Sequence, residues 1–147
     1  MIGEHVRLEP LSLSHIAALT EAAAEDFFLY KWSFVPQNED EVKRYIETAL
    51  QWQQEGVAVP FAIVRLSDER VVGSTRFWEM ARWAWPPGHE RSVAMSGSPD
   101  VCEIGYTWLA ASAIRTAINT EAKLLMLTHA FEIWKVLRVC FHTDARN

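Results

Sequence analysis

The C-terminal third of the chain constrains the fold most, because it reads as strand, loop, helix and strand in immediate succession. The apolar run 103–109 predicts a strand, 110–119 a loop, 120–137 a long helix and 138–143 a second strand. A crossover helix of this length forces the two strands to lie parallel, and its N-terminus presents free backbone N–H groups that can bind phosphate. The sequence therefore predicts that the chemistry lies at the turn 110–120.

Three motifs occupy this segment: EIGYTWL at 103–109, RTAINTEAK at 115–123 and TDARN at 143–147. Together they resemble the GNAT superfamily of acyl-CoA-dependent N-acetyltransferases, and within it the ribosomal-protein-alanine acetyltransferases of the Rim type. Upstream, VRLEP at 6–10 resembles the family's first strand and VVG at 71–73 its third. The resemblance implies one domain over residues 1–147, of the α/β class (α+β with a mixed sheet). It also implies that this domain transfers acetyl from acetyl-CoA directly to a primary amine.

Members of that superfamily continue beyond the position of Asn147 with a helix and two strands. We therefore expect a shortened chain, either natural or produced by gene rearrangement. The alternative function is that of a catalytically inactive, truncated GNAT-fold protein that binds CoA or acts as an interaction module. A last strand without its neighbour also predicts a symmetric homodimer, formed through that edge or through the adjacent helix faces.

The resemblance places acetyl-CoA along the first strand of the unit and around the turn that follows it. The strand would pair with the pantetheine arm as with another strand, which requires the two parallel strands to splay apart. Of the family's pyrophosphate signature only Ala117 fits strictly, since Ser112 and Arg115 stand where an Arg or Gln and a Gly are usual. The implied acetyl-CoA-binding residues are Tyr106, Thr107, Trp108, Leu109, Ser112, Arg115, Thr116, Ala117, Ile118, Asn119, Thr120 and Asn147. Without the resemblance, Tyr106 and Trp108 read as core aromatics and the turn as an ordinary connection.

Glu103 is the candidate general base. An attacking amine must lose a proton, and a carboxylate can accept it directly or through one water. The resemblance supports this role, since an acidic residue near the start of this strand often has it in the family. The alternative is a carboxylate that only orients substrate or pairs with Arg76.

Three tryptophans, Trp78, Trp83 and Trp85, lie in or beside a Trp-, Pro- and Gly-rich stretch, which we interpret as a surface excursion over residues 80–99. They either bind the acceptor or pack against the sheet. Further upstream, an Asn38–Glu41 capping box predicts a helix that ends at Gly56, and residues 61–66 and 71–78 predict an antiparallel hairpin.

The charge and the residue composition limit the classes of molecule that the protein can bind. A formal net charge of −5 argues against nonspecific nucleic-acid binding and favours a small-molecule or peptide amine. The five histidines and two cysteines show no metal-ligand spacing, so we expect no metal, and Cys102 and Cys140 are expected to be free thiols. The N-terminus lacks a basic region followed by an apolar core, and no apolar run approaches the roughly 20 residues that a membrane helix needs, so we expect a cytoplasmic protein.

Overall fold

The computed structural model describes residues 1–93 and 97–144, which form a five-stranded mixed sheet with helices on both faces. The strands lie side by side in chain order. They are β1 (Val6–Pro10), β2 (Val59–Arg65), β3 (Arg70–Ala81), β4 (Val101–Leu109) and β5 (Arg138–Cys140). Neighbours from β1 to β4 are antiparallel, whereas β4 and β5 are parallel. The predicted mixed α/β fold, the hairpin β2–β3 and the parallel pair are thereby confirmed.

The helices are α1 (Ile16–Ala23), α2 (Glu39–Gln54), α3 (Glu90–Val93) and α4 (Ala117–Thr128). The predicted cap of α2 is present, because the Asn38 side-chain oxygen accepts a hydrogen bond from the Glu41 backbone N–H at 3.0 Å. The helix ends where expected, with Gly56 at a φ of +76° that few other residues adopt readily. None of the helices in the described ranges is long and apolar enough to cross a membrane.

The alternation of side chains along β3 assigns a helix to each face of the sheet. Ser74 Oγ accepts a hydrogen bond from the Tyr45 hydroxyl of α2, at 3.1 Å. Phe77, on the opposite face, packs against Trp134 beyond α4, with ring centroids 4.5 Å apart. Because successive residues of a strand point to opposite faces, α2 and α4 lie on the two sides of β3. A site on β4, the neighbour of β3, therefore has α2 on one face of the sheet and α4 on the other.

The crossover helix differs from its prediction in both bounds. It starts at Ala117, three residues earlier than predicted, because Thr116 and not Asn119 adopts the extended cap conformation. It continues from α4 into one π-helical turn, His129–Ile133, and stops before Lys135, whose φ is +56°. The apolar residues of the helix are only partly buried: Leu124, Phe131 and Ile133 are exposed, and the face that contains Ala122 and Met126 lies in the core.

The last strand is shorter than the predicted range 138–143. It pairs with β4 only over three residues, from Val101↔Arg138 to Glu103↔Cys140. Beyond that point the segment after β5 diverges from β4, in agreement with the predicted splay of the two parallel strands. Residues 141–144 are therefore not a strand. Within the described residues β5 is the edge of the sheet, and the homodimer through it stays a prediction.

Candidate functional site

A bulge in β4 lies at the centre of the candidate site. Ser74 pairs with Trp108 and Arg76 with Gly105, so two residues of β4, Tyr106 and Thr107, lie opposite the single residue between them on β3. Tyr106 has a φ of +51°, in the left-handed region that non-glycine residues seldom occupy. The bulge removes Tyr106 from the regular ladder and bends the strand.

The bulge sends the two side chains to opposite faces of the sheet. The Tyr106 ring packs on the α2 side, 5.6 Å between centroids from both Trp52 and Trp78. Thr107 Oγ1 lies on the α4 side, where it is hydrogen-bonded to Thr75 Oγ1 at 2.7 Å and to Lys123 Nζ. Tyr106 is 46% exposed, so it is not the core aromatic that its sequence alone suggested. Trp108, 5% exposed and edge-on to Tyr30, is one.

An open cleft lies where β4 and β5 separate. No described strand pairs with β4 on this side beyond Glu103. The cavity there has a volume of about 600 Å³ and is bounded by β4, by the first turns of α4 and by residues 141–144. Its lining residues are Trp32, Ser33, Ile104, Gly105, Tyr106, Thr107, Asn119, Lys123, Phe141, His142, Thr143 and Asp144. The cleft can therefore receive an extended ligand that reaches the bulge.

The predicted phosphate-binding turn forms the N-terminus of α4. Thr116 Oγ1 caps the helix by accepting the Ile118 backbone N–H at 3.3 Å. Arg115 precedes it with a φ of +57°, and a second cavity of about 310 Å³ lies against this helix end. Arg115, Thr116, Ala117, Asn119 and Thr120 are exposed and available to a ligand, whereas the Ile118 side chain is buried in the core.

Ser112 is already engaged within the protein. Its backbone N–H and its hydroxyl both donate to the Glu25 carboxylate, at 2.8 and 3.1 Å. Arg65 Nη1 in turn donates to the Ser112 carbonyl at 3.3 Å. Of the predicted acetyl-CoA ligands, Ser112 is thus held by an acidic group, while Asn147 lies outside the described residues.

Glu103 is 8% exposed and lies beside the cleft, where it lines a smaller cavity of about 230 Å³ together with Tyr106 and Thr107. Its carboxylate is hydrogen-bonded to His142 Nδ1, from the segment that diverges after β5. It does not pair with Arg76, so that alternative is wrong: no described acidic side chain forms an ion pair with Arg76. The carboxylate has room because residue 105 is glycine, whose hypothetical Cβ would be 2.6 Å from Glu103 Oε1.

Two residues of the site were not singled out from sequence. His142 is 39 positions from Glu103, and no local pattern signals their contact. Lys123 lies within a matched motif and within the predicted helix, but its contact with Thr107 of β4 shows only in three dimensions. Burial lowers the pKa of Lys123 to about 8, and its Nζ lies 6.0 Å from the centre of the Phe141 ring, across the cleft.

The three predicted substrate-binding tryptophans belong to two groups. Trp78 packs on Trp52 at 4.3 Å and on Tyr106, beside the bulge. Trp83 and Trp85 pack on each other and surround Asp100, whose Oδ2 accepts the Trp85 indole N–H at 3.0 Å. Only Trp78 has described ring contacts with the bulge.

The two cysteines and the possible metal ligands are the remaining groups to consider. Cys102 and Cys140 are free, and burial raises the pKa of Cys102 to about 11, so this thiol is not poised as a nucleophile. Residues 1–93 and 97–144 contain no group of three His, Cys, Asp or Glu side chains that could hold a metal ion.

A family model and a solved structure both relate this chain to acetyltransferases. Residues 5–147 match the model of the acetyltransferase (GNAT) domain family. A solved structure of a proposed acetyltransferase from T. thermophilus is 30% identical, with a TM-score of 0.71 over 100% of this chain and 68% of its own. The search of curated proteins finds no match.

Two more distant structures share the fold. Mycobacterium smegmatis RimJ, solved in complex with CoA-disulfide, is 20% identical, with a TM-score of 0.74 over 97% of this chain and 64% of its own. The ribosomal-protein-S5-alanine acetyltransferase from Vibrio fischeri is 13% identical, with a TM-score of 0.71 over 100% of this chain and 75% of its own.

Proposed function

The chain belongs to the GNAT acetyltransferase family, and from that premise we propose that it moves the acetyl group of acetyl-CoA to a primary amine by direct attack. The observation that carries this proposal is the cleft between β4 and β5, which opens at the bulge of Tyr106 and Thr107. The edge of β4 beyond Glu103 has no described strand beside it, so it can pair with the amide groups of an extended acyl carrier.

The donor set fits acetyl-CoA at both ends of the cleft. At one end, the exposed N-terminus of α4 offers backbone N–H groups and the positive helix end to phosphates, with Arg115 beside it. At the other end, the bulge frees backbone groups of β4 that would be available to polarise a thioester carbonyl. Bound acetyl-CoA would supply an activated acetyl group with the thiolate of CoA as its leaving group, so no nucleophile of the protein is needed.

Glu103 is the residue we assign to the proton. Its carboxylate is close to the bulge and bonded to His142, whose imidazole is largely exposed. Glu103 can take the proton of the attacking amine directly or through one water, and His142 holds the carboxylate in one orientation. Proximity and a polarised carbonyl carry the rest of the rate, as direct transfer requires.

The acceptor is a small-molecule amine or the N-terminus of a protein. A net charge of −5 favours a partner that is not itself strongly acidic. Trp78 contacts the bulge through Tyr106 and is the predicted tryptophan that best fits an acceptor wall. The noncatalytic alternative is not favoured, because the described site retains the cleft, the carboxylate and the helix end together.

Two measurements test the proposal. Calorimetry with acetyl-CoA measures binding, and an assay of thiol release with a panel of amines measures transfer. We expect binding and amine-dependent release of CoA, with the mass of the amine increased by one acetyl group. Absence of acetyl-CoA binding at millimolar concentration would contradict the proposal, and binding without turnover on any amine would return the noncatalytic alternative.

A further inference from the structure

Arg76 is a buried cation in the middle of β3. The residue is 1% exposed. Its guanidinium carbon lies 4.3 Å from the ring centre of Tyr106, 4.7 Å from that of Tyr45 and 5.4 Å from that of Trp52. Cation–π attraction to three rings fixes the position of the group, but it uses the face of the guanidinium and not its N–H edge.

The N–H edge of Arg76 has no acceptor among the described residues. Neither Nε nor Nη2 has a hydrogen-bond partner, although both atoms are fully buried. The carboxylate nearest in the strand register, Glu103, is bonded to His142 instead. A buried ion without an opposite charge is costly, and its polar atoms are expected to be satisfied by something.

A cavity of about 230 Å³ adjoins Arg76 on the α2 side of the sheet. It is lined by aromatic rings, by the exposed Arg44 of α2 and by one carboxylate, Glu41, whose Oε2 is bonded to the Gln37 backbone N–H at 2.8 Å. The rings around the cavity already enclose a cation, so the cavity does not suit a second one. Two arginines and an unused guanidinium edge suit a planar anion that accepts two parallel hydrogen bonds.

We propose that this cavity recognises a carboxylate of the acceptor, so that the preferred substrates are primary amines that carry a carboxylate. The inference rests on the proposed acetyl transfer and deepens it. Tyr106 lines both this cavity and the cleft between β4 and β5. An acceptor can therefore place its carboxylate on Arg76 and its amine at the bulge beside Glu103.

Two sources share this chemistry: a free amino acid, and a peptide whose first residues include an acidic side chain. Two pairs of substrates, each a carboxylate and its amide, distinguish these two sources. One arm compares a free amino acid with its carboxamide, and the other compares a peptide that begins Ala-Glu with one that begins Ala-Gln. Rates are compared at equal concentrations of unprotonated amine, because an amide group lowers the pKa of a neighbouring amine.

For the pair that matches the natural source, we expect kcat/KM for the carboxylate to exceed that for the amide at least tenfold. Arg76→Gln should abolish that preference, and Arg44→Gln should reduce it. Lys43→Gln is the matched control: it removes the same charge from α2 at an exposed position that does not line the cavity. It should leave the preference unchanged.

The wild-type comparison and a binding measurement keep the test independent of how Arg76→Gln folds. Without acetyl-CoA, the carboxylate ligand should raise the melting temperature and its amide should not. Equal kcat/KM for carboxylate and amide in both pairs would overturn the proposal, and would mean that water satisfies Arg76. Carboxylate binding without acetylation of any amine would support the anion site and overturn the acetyl transfer, so the two failures are distinguishable.

Discussion

Glu103 and His142 are hydrogen-bonded to each other across the point where β4 and β5 separate, through Glu103 Oε2 and His142 Nδ1. One is nearly buried and the other is mostly exposed, with side-chain exposures of 10% and 76%. The pair therefore connects a nearly buried carboxylate beside the bulge to an exposed imidazole. This arrangement suits a carboxylate that takes up a proton and must release it in every cycle.

Replacing Glu103 with Gln should lower turnover about a hundredfold and leave acetyl-CoA affinity nearly unchanged, because the amide keeps the shape but cannot accept the proton. His142→Gln should lower it less, by roughly tenfold, since the base remains but loses its orientation. Steady-state kinetics over a range of pH measure both.

Glu132→Gln is the control, because it makes the same chemical change at an exposed carboxylate whose one ion-pair partner among the described residues is Lys135. It should behave as wild type. Turnover of the Glu103→Gln variant equal to that of wild type at every pH would remove Glu103 from the mechanism.

Gly105→Ala should displace the Glu103 carboxylate, since the new methyl group would lie 2.6 Å from Oε1. We expect turnover to fall at least tenfold, equivalent to about 1.4 kcal/mol, with acetyl-CoA affinity less affected. The stability cost of the substitution should largely disappear in a Glu103→Ala background, where the clashing carboxylate is absent. Equal destabilisation in both backgrounds, measured by denaturant unfolding, would show that the glycine serves another purpose.

The sequence predicted the elements because each has a local signal. The Asn38 cap and the β2–β3 hairpin follow from residues close together in the chain, and the parallel pair follows from the crossover helix that joins its two strands. The helix α4 starts earlier than predicted because Thr116 caps it three residues before the predicted range 120–137 begins. The strand β5 was predicted too long because its apolar alternation continues past the point where the chain leaves β4.

The site was less predictable, because its features are relations between distant segments. The bulge is a mismatch of register between β3 and β4, which neither strand shows alone. Arg76 was considered as a partner of Glu103, but it lies among aromatic rings of α2 and β4. Its role depends on contacts that span as many as 31 positions, which residue spacing does not encode.

Ala117→Asp should weaken acetyl-CoA binding roughly tenfold or more, because a carboxylate in the first turn of α4 repels phosphate. The same carboxylate interacts favourably with the helix N-terminus, so the melting temperature of the free protein should not fall. Calorimetry and thermal unfolding separate the two effects.

Leu124→Asp adds the same charge to an exposed position of the same helix that does not line the cleft. It should change acetyl-CoA affinity little. Equal affinity losses in the two variants would indicate a general charge effect, and an unchanged affinity in Ala117→Asp would move the phosphate site elsewhere.

Lys123 should give the protein a stability that rises with pH above neutrality. Burial lowers the pKa of this amine to about 8, whereas the unfolded chain has the ordinary value of 10.5. The unfolded state therefore binds the proton more tightly. The free-energy cost of burying the charged amine in the folded state is fully present below pH 8 and disappears as the pH rises towards 10.5. The free energy of unfolding should rise by an amount on the order of 3 kcal/mol across this window.

The variant Lys123→Met isolates this contribution, because it keeps an unbranched side chain in contact with Thr107 and Thr75 but cannot titrate. Subtracting its unfolding free energy from that of wild type at each pH removes the effect of other groups, including His142 and Asp144, which line the same cleft. Lys43→Met, at an exposed lysine, is the control and should show no such difference. If the difference between wild type and Lys123→Met is constant from pH 7 to pH 10, the amine is not held in a desolvated state and cannot act as a neutral group in the cleft.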